Sequence, residues 1–238
     1  MSTLSGGPNI VTNGLVLSLD AANPKSYVSG STTWNDISRV GNNGTLINGP
    51  TFNSGNYGSI VFDGTNDYVI ISNSNTLNIT STITLESWIK PTALANASHG
   101  DGIFSKGLSS DNNSGVYETL MVQSGSFNTP FFRLRIGSST PTYNPNTPLT
   151  LNQIYHFVST YDGSTMNIYI NGVQSGAGLF TPGSIQSNTQ ELTLGVRYNR
   201  ISDSYFNGNV YSGKIYNRAL SAAEVLQNFN STRSRFGI

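Results

Sequence analysis

Two carboxylates and an amide sit within one short stretch, FDGTNDYV, where Asp63, Asn66 and Asp67 follow an apolar run. Oxygen donors at this spacing have three uses: acid–base catalysis, holding a hard cation, or reversing the chain by accepting backbone amides. A second group lies in GVRYNRISDSYF, which gathers Arg197, Tyr198, Asn199, Arg200 and Tyr205 partly in a loop. An aromatic platform beside amide and guanidinium donors suits sugar recognition. The plain alternative is solvated arginines and tyrosines that anchor the loop. Arg133 and Arg135 share one face of FFRLRI, opposite Phe132, Leu134 and Ile136, and have the same two readings.

Catalytic sets are sparse. A retaining glycosidase needs two carboxyls about 5–5.5 Å apart, and an inverting one about 6.5–9.5 Å. The chain has four glutamates, Glu86, Glu118, Glu191 and Glu224, none close to another in sequence, so only a cross-strand pairing such as Glu86 with Glu118 stays open. Its two histidines are His99, in the polar loop SHGDG, and His156, within a strand between Tyr155 and Phe157. No Gly-x-Ser-x-Gly elbow and no GxxxxGK[ST] phosphate loop occurs. The sequence therefore predicts a chain that is not an enzyme. Asp101 in HGDG and Asp111 in SSDNNSG are further oxygen donors, available to a cation site of their own.

The elements that must position these groups read as strands. The chain has 238 residues, 36% hydrophobic and 10% charged, against about 25% charged in an ordinary soluble domain. Ser, Thr, Asn and Gly fill the difference, which favours strands and polar turns. GLVLSLD, SIVF, YVII, TITLESWIKP, YETLMVQ, FFRLRIG, LTLGVRY and NVYSGKIYN show the alternation of half-buried strands. In IYHFVSTYDGSTMNIYINGV, two strands join through Asp162–Gly163, and Asn171–Gly172 supplies a second tight turn. About a dozen such strands, evenly spaced, predict a two-sheet sandwich. Trp34 and Trp88 are expected to pack rather than to serve as platforms. One helix is marked from Ala222 to about Asn228, with Ser221 and Glu224 forming a capping box and Leu220 and Val225 a hydrophobic staple.

Charge and length exclude other classes. Twelve basic and twelve acidic residues cancel, so no field gathers nucleic acid or an anionic membrane. There is no cysteine, hence no disulfide and no thiolate chemistry. The N-terminus lacks the pattern of a signal peptide, and no apolar run approaches the roughly 18 residues of a membrane span.

FDGTNDYV, TLESWIKP, YHFVSTYDGSTMNIYINGV, LTLGV and FNGNVYSGKIYNRALSAAEV occur in that order between about Gly14 and Phe229. Together they resemble the laminin-G-like, concanavalin A-like lectin–glucanase jelly rolls related to pentraxins. The resemblance implies an all-β, antiparallel two-sheet jelly-roll sandwich that commonly binds carbohydrate or protein, here with one short C-terminal helix. The division expected is an N-terminal arm (1–13), the jelly roll (14–229) and a C-terminal tail (230–238). The opening GPNIVTNGLVLSLDAANPKSY, with TTWNDIS and NNGTLINGPTF, further resembles a subgroup in tailed-phage structural proteins. That implies a virion component, assembled in the host cytoplasm, whose partners are capsid or tail proteins and host-surface glycans, with capsid decoration and tail or fibre both open. A homo-oligomer is compatible with it. The alternatives are a bacterial carbohydrate-binding adhesion module and, third, a glycoside hydrolase of the same fold.

In pentraxin-like relatives an acidic/amide pair after the FDG-like strand ligates calcium. Asn66 and Asp67 match that position, so calcium is the one cofactor the resemblance suggests. The remaining ligands in those relatives follow the LTLG-like strand, where this chain has Val196, Arg197, Tyr198 and Asn199. An arginine in place of an oxygen ligand makes a turn-forming role the favoured reading of Asn66 and Asp67, and no cofactor the expectation.

Overall fold

The computed structural model describes residues 8–55, 58–107 and 115–238; Asp111, one of the candidate cation donors, lies outside the described residues. In chain order the strands are β1 (Leu15–Asp20), β2 (Thr33–Trp34), β3 (Gly44–Ile47), β4 (Thr51–Asn53), β5 (Ser59–Asp63), β6 (Tyr68–Ile71), β7 (Ile83–Pro91) and β8 (Asp101–Gly107). They continue as β9 (Gly115–Ser124), β10 (Phe127–Leu134), β11 (Thr142–Tyr143), β12 (Tyr155–Tyr161), β13 (Thr165–Ile170), β14 (Val173–Phe180), β15 (Leu192–Leu194) and β16 (Asn207–Tyr216). A single α-helix among the described residues, α1 (Ala222–Thr232), follows.

These strands form two antiparallel sheets. Sheet A runs β14-β13-β12-β7-β16-β5-β4, with β1 also paired to β16, and sheet B runs β11-β10-β9-β8-β15-β6-β3-β2. The long β16 has β7 along one side and divides its other side between β5 and β1. The core lies between the sheets and follows the alternation of the sequence. On β7, Ile83, Leu85 and Ile89 join the inter-sheet cluster with Phe104, Phe157, Leu194 and Ile215. The jelly-roll expectation thus holds.

The outer face of sheet A is not left to solvent. Residues Thr84, Glu86 and Trp88 of β7 are buried there beneath the C-terminal helix. Ser221 caps α1 and Glu224 returns the bond, the expected capping box. The helix runs a turn beyond the expected Asn228 because Phe229, and Phe236 just after it, stack on Trp88 at 5.8 and 4.3 Å. The Asn228 amide donates to Glu86 Oε2 at 2.6 Å and its oxygen accepts Val11 N at 2.8 Å, which ties both ends of the chain to sheet A. Lys214 Nζ donates to Glu86 Oε1 at 2.8 Å. Burial opposes ionisation of Glu86, but Lys214 and His156 outweigh it and hold the carboxyl low. No helix among the described residues is long and apolar enough to cross a membrane.

Candidate functional site

The turn between β5 and β6 is closed by its own carboxylates. Asp63 Oδ1 accepts the amides of Thr65 (2.8 Å) and Asn66 (3.2 Å), and Asp67 Oδ2 accepts the amide of Asp63 (3.1 Å). Burial raises Asp63, but the turn amides outweigh it and hold it below the usual carboxylate range. Asp67 is pushed up by burial. Asn48 fixes the turn from outside, donating to the Asn66 carbonyl at 2.8 Å. Chain reversal accounts for these carboxylates. Among the described residues no cluster of three or more His, Cys, Asp or Glu is placed to hold a metal ion.

The loop between β15 and β16 separates the candidate sugar ligands. After Leu194 the chain leaves sheet B at Gly195 (φ 88°) and folds over β8. Two glycines on β8 make room: a β-carbon at Gly102 would lie 2.3 Å from the Val196 carbonyl carbon, and one at Gly107 would lie 2.2 Å from the Tyr198 ring. Arg197 turns inward and is 2% exposed. Its guanidinium meets the buried Glu118 at 3.3 and 3.4 Å and donates to the His99 carbonyl at 3.2 Å. Ser105 and Arg133 complete the surroundings of Glu118. Arg197 therefore supports the loop from beneath rather than facing a ligand.

The other four line two neighbouring clefts. Tyr198, Asn199 and Arg200 border one of about 170 Å³ with Glu191 and Gln190. Arg200 pairs with Glu191 and lies 5.3 Å above the Tyr68 ring. Burial raises Glu191, but its own backbone amide, Arg200 and Lys106 outweigh it and hold it low. Tyr205 faces the other, a rim cleft of about 280 Å³ between the β5–β6 turn and the loops before β8 and β16. Its lining includes Asn96, Asp101, Ser202, Asp203, Tyr205 and Asn207. Asn207 is fixed by Thr92 Oγ1, which donates to its Oδ1 at 2.6 Å, and by its own amide, which donates to the Asp63 carbonyl at 2.9 Å. Asp101 is 6% exposed, and Oδ1 accepts the Asn96 amide at 3.1 Å. Burial pushes its carboxyl up to about 7. Asp101 can thus either donate or accept a hydrogen bond near neutral pH. Asn96, Asp203 and Asn207 were not singled out by sequence. Each stands alone in its stretch, and only the convergence of loops joins them.

The remaining acids and histidines lie elsewhere. Glu86 is on β7 of sheet A and Glu118 on β9 of sheet B, each with its own cation, so they form no cross-strand pair. His156 is fully buried, 3.3 Å from Glu86 and tilted against the Trp88 ring at 4.9 Å, and burial lowers its pKa. His99 serves the backbone, its amide donating to Asn96 Oδ1 at 2.7 Å.

The family model for the concanavalin A-like lectin/glucanases superfamily, a laminin G-type domain, matches residues 63–226. The chain belongs to that superfamily. No curated protein matches the sequence. Among solved structures, domain 4 of a GH43 extracellular arabinanase from Geobacillus stearothermophilus, in complex with arabinotriose, is similar at 20% identity. The alignment covers 91% of this chain and 98% of that one, with a TM-score of 0.66. The binding domain of Paraclostridial Mosquitocidal Protein 1 is similar at 19% identity and TM-score 0.68, over 92% of this chain and 52% of that one. A Trypanosoma rangeli sialidase, as its covalent intermediate with 2,3-difluorosialic acid, is similar at 16% identity and TM-score 0.68, over 96% of this chain and 35% of that one.

These likenesses are of fold, and they correct one expectation. The sequence predicted a chain that is not an enzyme, yet the fold occurs within an arabinanase and within sialidases. The exclusion rested on motifs and on glutamates spaced along strands. Loops bring carboxylates together without such spacing, as Asp101 and Asp203 show in one cleft.

Proposed function

We propose that this chain is a carbohydrate-binding jelly roll that grips oligosaccharides at the rim cleft. The observation that carries the reading is the convergence there of an aromatic ring, Tyr205, with amides Asn96 and Asn207 and carboxyls Asp101 and Asp203. A sugar presents an apolar face and a rim of hydroxyls, and such a lining meets both. The arabinanase domain in complex with arabinotriose, which the chain spans almost end to end, supports the same reading. Arg200, Tyr198 and Asn199 border the neighbouring cleft and extend the surface available to a longer chain.

We infer further that the domain is displayed on a virion, assembled in the host cytoplasm and attached to capsid or tail proteins, where it contacts host-surface glycans. The support is the opening GPNIVTNGLVLSLDAANPKSY and its resemblance to tailed-phage structural proteins. The arm MSTLSGGPN, of which residues 1–7 lie outside the described residues, is the segment offered for attachment, whereas NSTRSRFGI is held on sheet A through Phe236 on Trp88 and Arg235 on Asp20. A second reading places the same module within or beside a glycosidase, and the arabinanase and sialidase likenesses favour it.

Glycan-array binding followed by calorimetry tests the first step. Arabinotriose and other oligosaccharides should bind, and Tyr205→Ala should weaken binding about tenfold, the loss of one stacking contact. Wild-type binding that Tyr205→Ala leaves intact would remove the rim cleft as the site. Release of reducing ends from the bound sugars, measured in parallel, separates the glycosidase reading. Mass spectrometry of particles from the source decides the virion reading, which absence from every particle overturns.

A further inference from the structure

A larger cleft opens on the other side of the β5–β6 turn, between the free edges of the two sheets. Its volume is about 520 Å³, within the roughly 300–1,000 Å³ of ordinary small-molecule pockets. The loop before β2 and the β3–β4 connection form its walls, and Leu46, Pro50 and Phe52 supply apolar surface. The Tyr27 and Phe52 rings lie 5.4 Å apart at 32°, and Tyr27 stands edge-on to the buried Trp34 at 6.4 Å. Tyr27 Oη donates to the Ser31 carbonyl at 2.9 Å, which fixes the ring and the loop that overhangs it. Ser29, Thr32, Asn48 and Thr51 line the cleft with hydroxyls and an amide, and among the described residues no charged one lines it. Asn48 is held in the left-handed region (φ 66°) with its amide on the Asn66 carbonyl, so its place on the wall is set from the turn.

We propose that this cleft is a second saccharide site, for a neutral sugar unit, distinct from the rim cleft. An uncharged lining offers nothing to a carboxylated or sulfated sugar and gives a basic or acidic peptide no partner. Paired aromatic rings take the apolar face of a pyranose or furanose, while the hydroxyls and the amide suit its rim. The same turn borders both clefts, through Gly64 on one side and the Asn48–Asn66 bond on the other. A branched or extended neutral glycan would therefore find both sites at one end of the sandwich.

The test is amide chemical-shift mapping on the intact chain with neutral tetrasaccharides of arabinose, galactose and glucose, and with 3′-sialyllactose as the charged probe. At least one neutral sugar should shift Ser29–Thr32 and Asn48–Phe52, and the sialyl group itself should not. Thr51→Arg, at an exposed position on the rim, should weaken these shifts about tenfold, as expected when one contact of about 1.4 kcal/mol is lost. Phe52→Ala should do the same, and its melting curve shows whether the variant is folded. Tyr205→Ala should leave this site's affinity unchanged, so failure here and failure of the rim cleft read out separately. The proposal is overturned if no neutral sugar perturbs these residues, or if Thr51→Arg leaves their shifts intact. It also falls if the shifts track protein concentration instead of sugar, because a second copy of the chain then fills the cleft.

Discussion

Replacing Asp101 by Asn should stabilise the protein at alkaline pH and leave it nearly unchanged in acid. The carboxyl is 6% exposed and its one backbone donor is the Asn96 amide. Burial raises its pKa from 3.8 to about 7, which at about 1.4 kcal/mol per pH unit amounts to some 4 kcal/mol. The folded carboxyl holds its proton more tightly than the unfolded one. Its contribution to stability is therefore fully present below about pH 4 and is lost as pH rises to about 7. For a chain of this size each kcal/mol moves Tm by about 2–4 °C. Asp101→Asn keeps an acceptor for the Asn96 amide and removes the ionisable group. Its Tm should exceed wild type by about 10 °C at pH 8.5, and by less than about 2 °C at pH 4. Lys106, which burial pulls down to about 8, titrates alike in both proteins and cancels from the difference. Melting curves at the two pH values decide it. A Tm difference that does not change with pH would falsify the account of a carboxyl held neutral by burial, and with it the dual donor–acceptor role at the rim cleft.

Glu86→Gln should cost about 3–5 kcal/mol in urea unfolding, because it strands the buried Lys214 without its counter-charge; a loss below about 1 kcal/mol would mean that water reaches the pair. Gly102→Ala places a β-carbon 2.3 Å from the Val196 carbonyl carbon. It should destabilise by about 1–3 kcal/mol and weaken sugar binding by displacing the loop that bears Tyr205, as calorimetry would register. Because the turn amides already occupy Asp63 and Asp67, a millimolar excess of calcium over chelator should raise Tm by less than about 1 °C; a larger rise, growing with calcium, would show a ligating turn.

Much of the fold was legible. β7, β12 and β13 follow alternations read directly from side-chain types, and the capping box of α1 was visible in Ser221 and Glu224. Three departures share a physical cause, which is that a partner distant in sequence decides the conformation. β14 carries glycines at φ 74° and 81° and no alternation, yet it pairs with β13 while Tyr143 Oη bridges the Ser175 carbonyl and the Gly178 amide on its other side. The end of the polar loop SHGDG, Asp101 and Gly102, opens β8 because β9 pairs with it from Met121 and Leu120. LTLGVRY leaves the sheet after Leu194, since Gly195 takes the left-handed turn that carries the chain over β8.

The candidate site shows the same division more sharply. Residue type suggested Tyr198, Asn199, Arg200 and Tyr205, and all four do line clefts. What sequence had no means to give was the side of the loop on which each falls. Arg197 and Tyr198 are neighbours, but one reaches inward to Glu118 and the other packs over Gly107. The decisive signal is the pair of glycines at positions 102 and 107, whose missing side chains admit the loop. A glycine in a strand marks close approach by another backbone or ring. Asp101, Asp203, Asn96 and Asn207 meet only because β8, β16 and the turn after β5 end at one rim. A jelly roll builds its sites from strand ends far apart in sequence, so motif spacing along one strand misses them. Glycines that let loops settle on a sheet are the better guide to where such sites form.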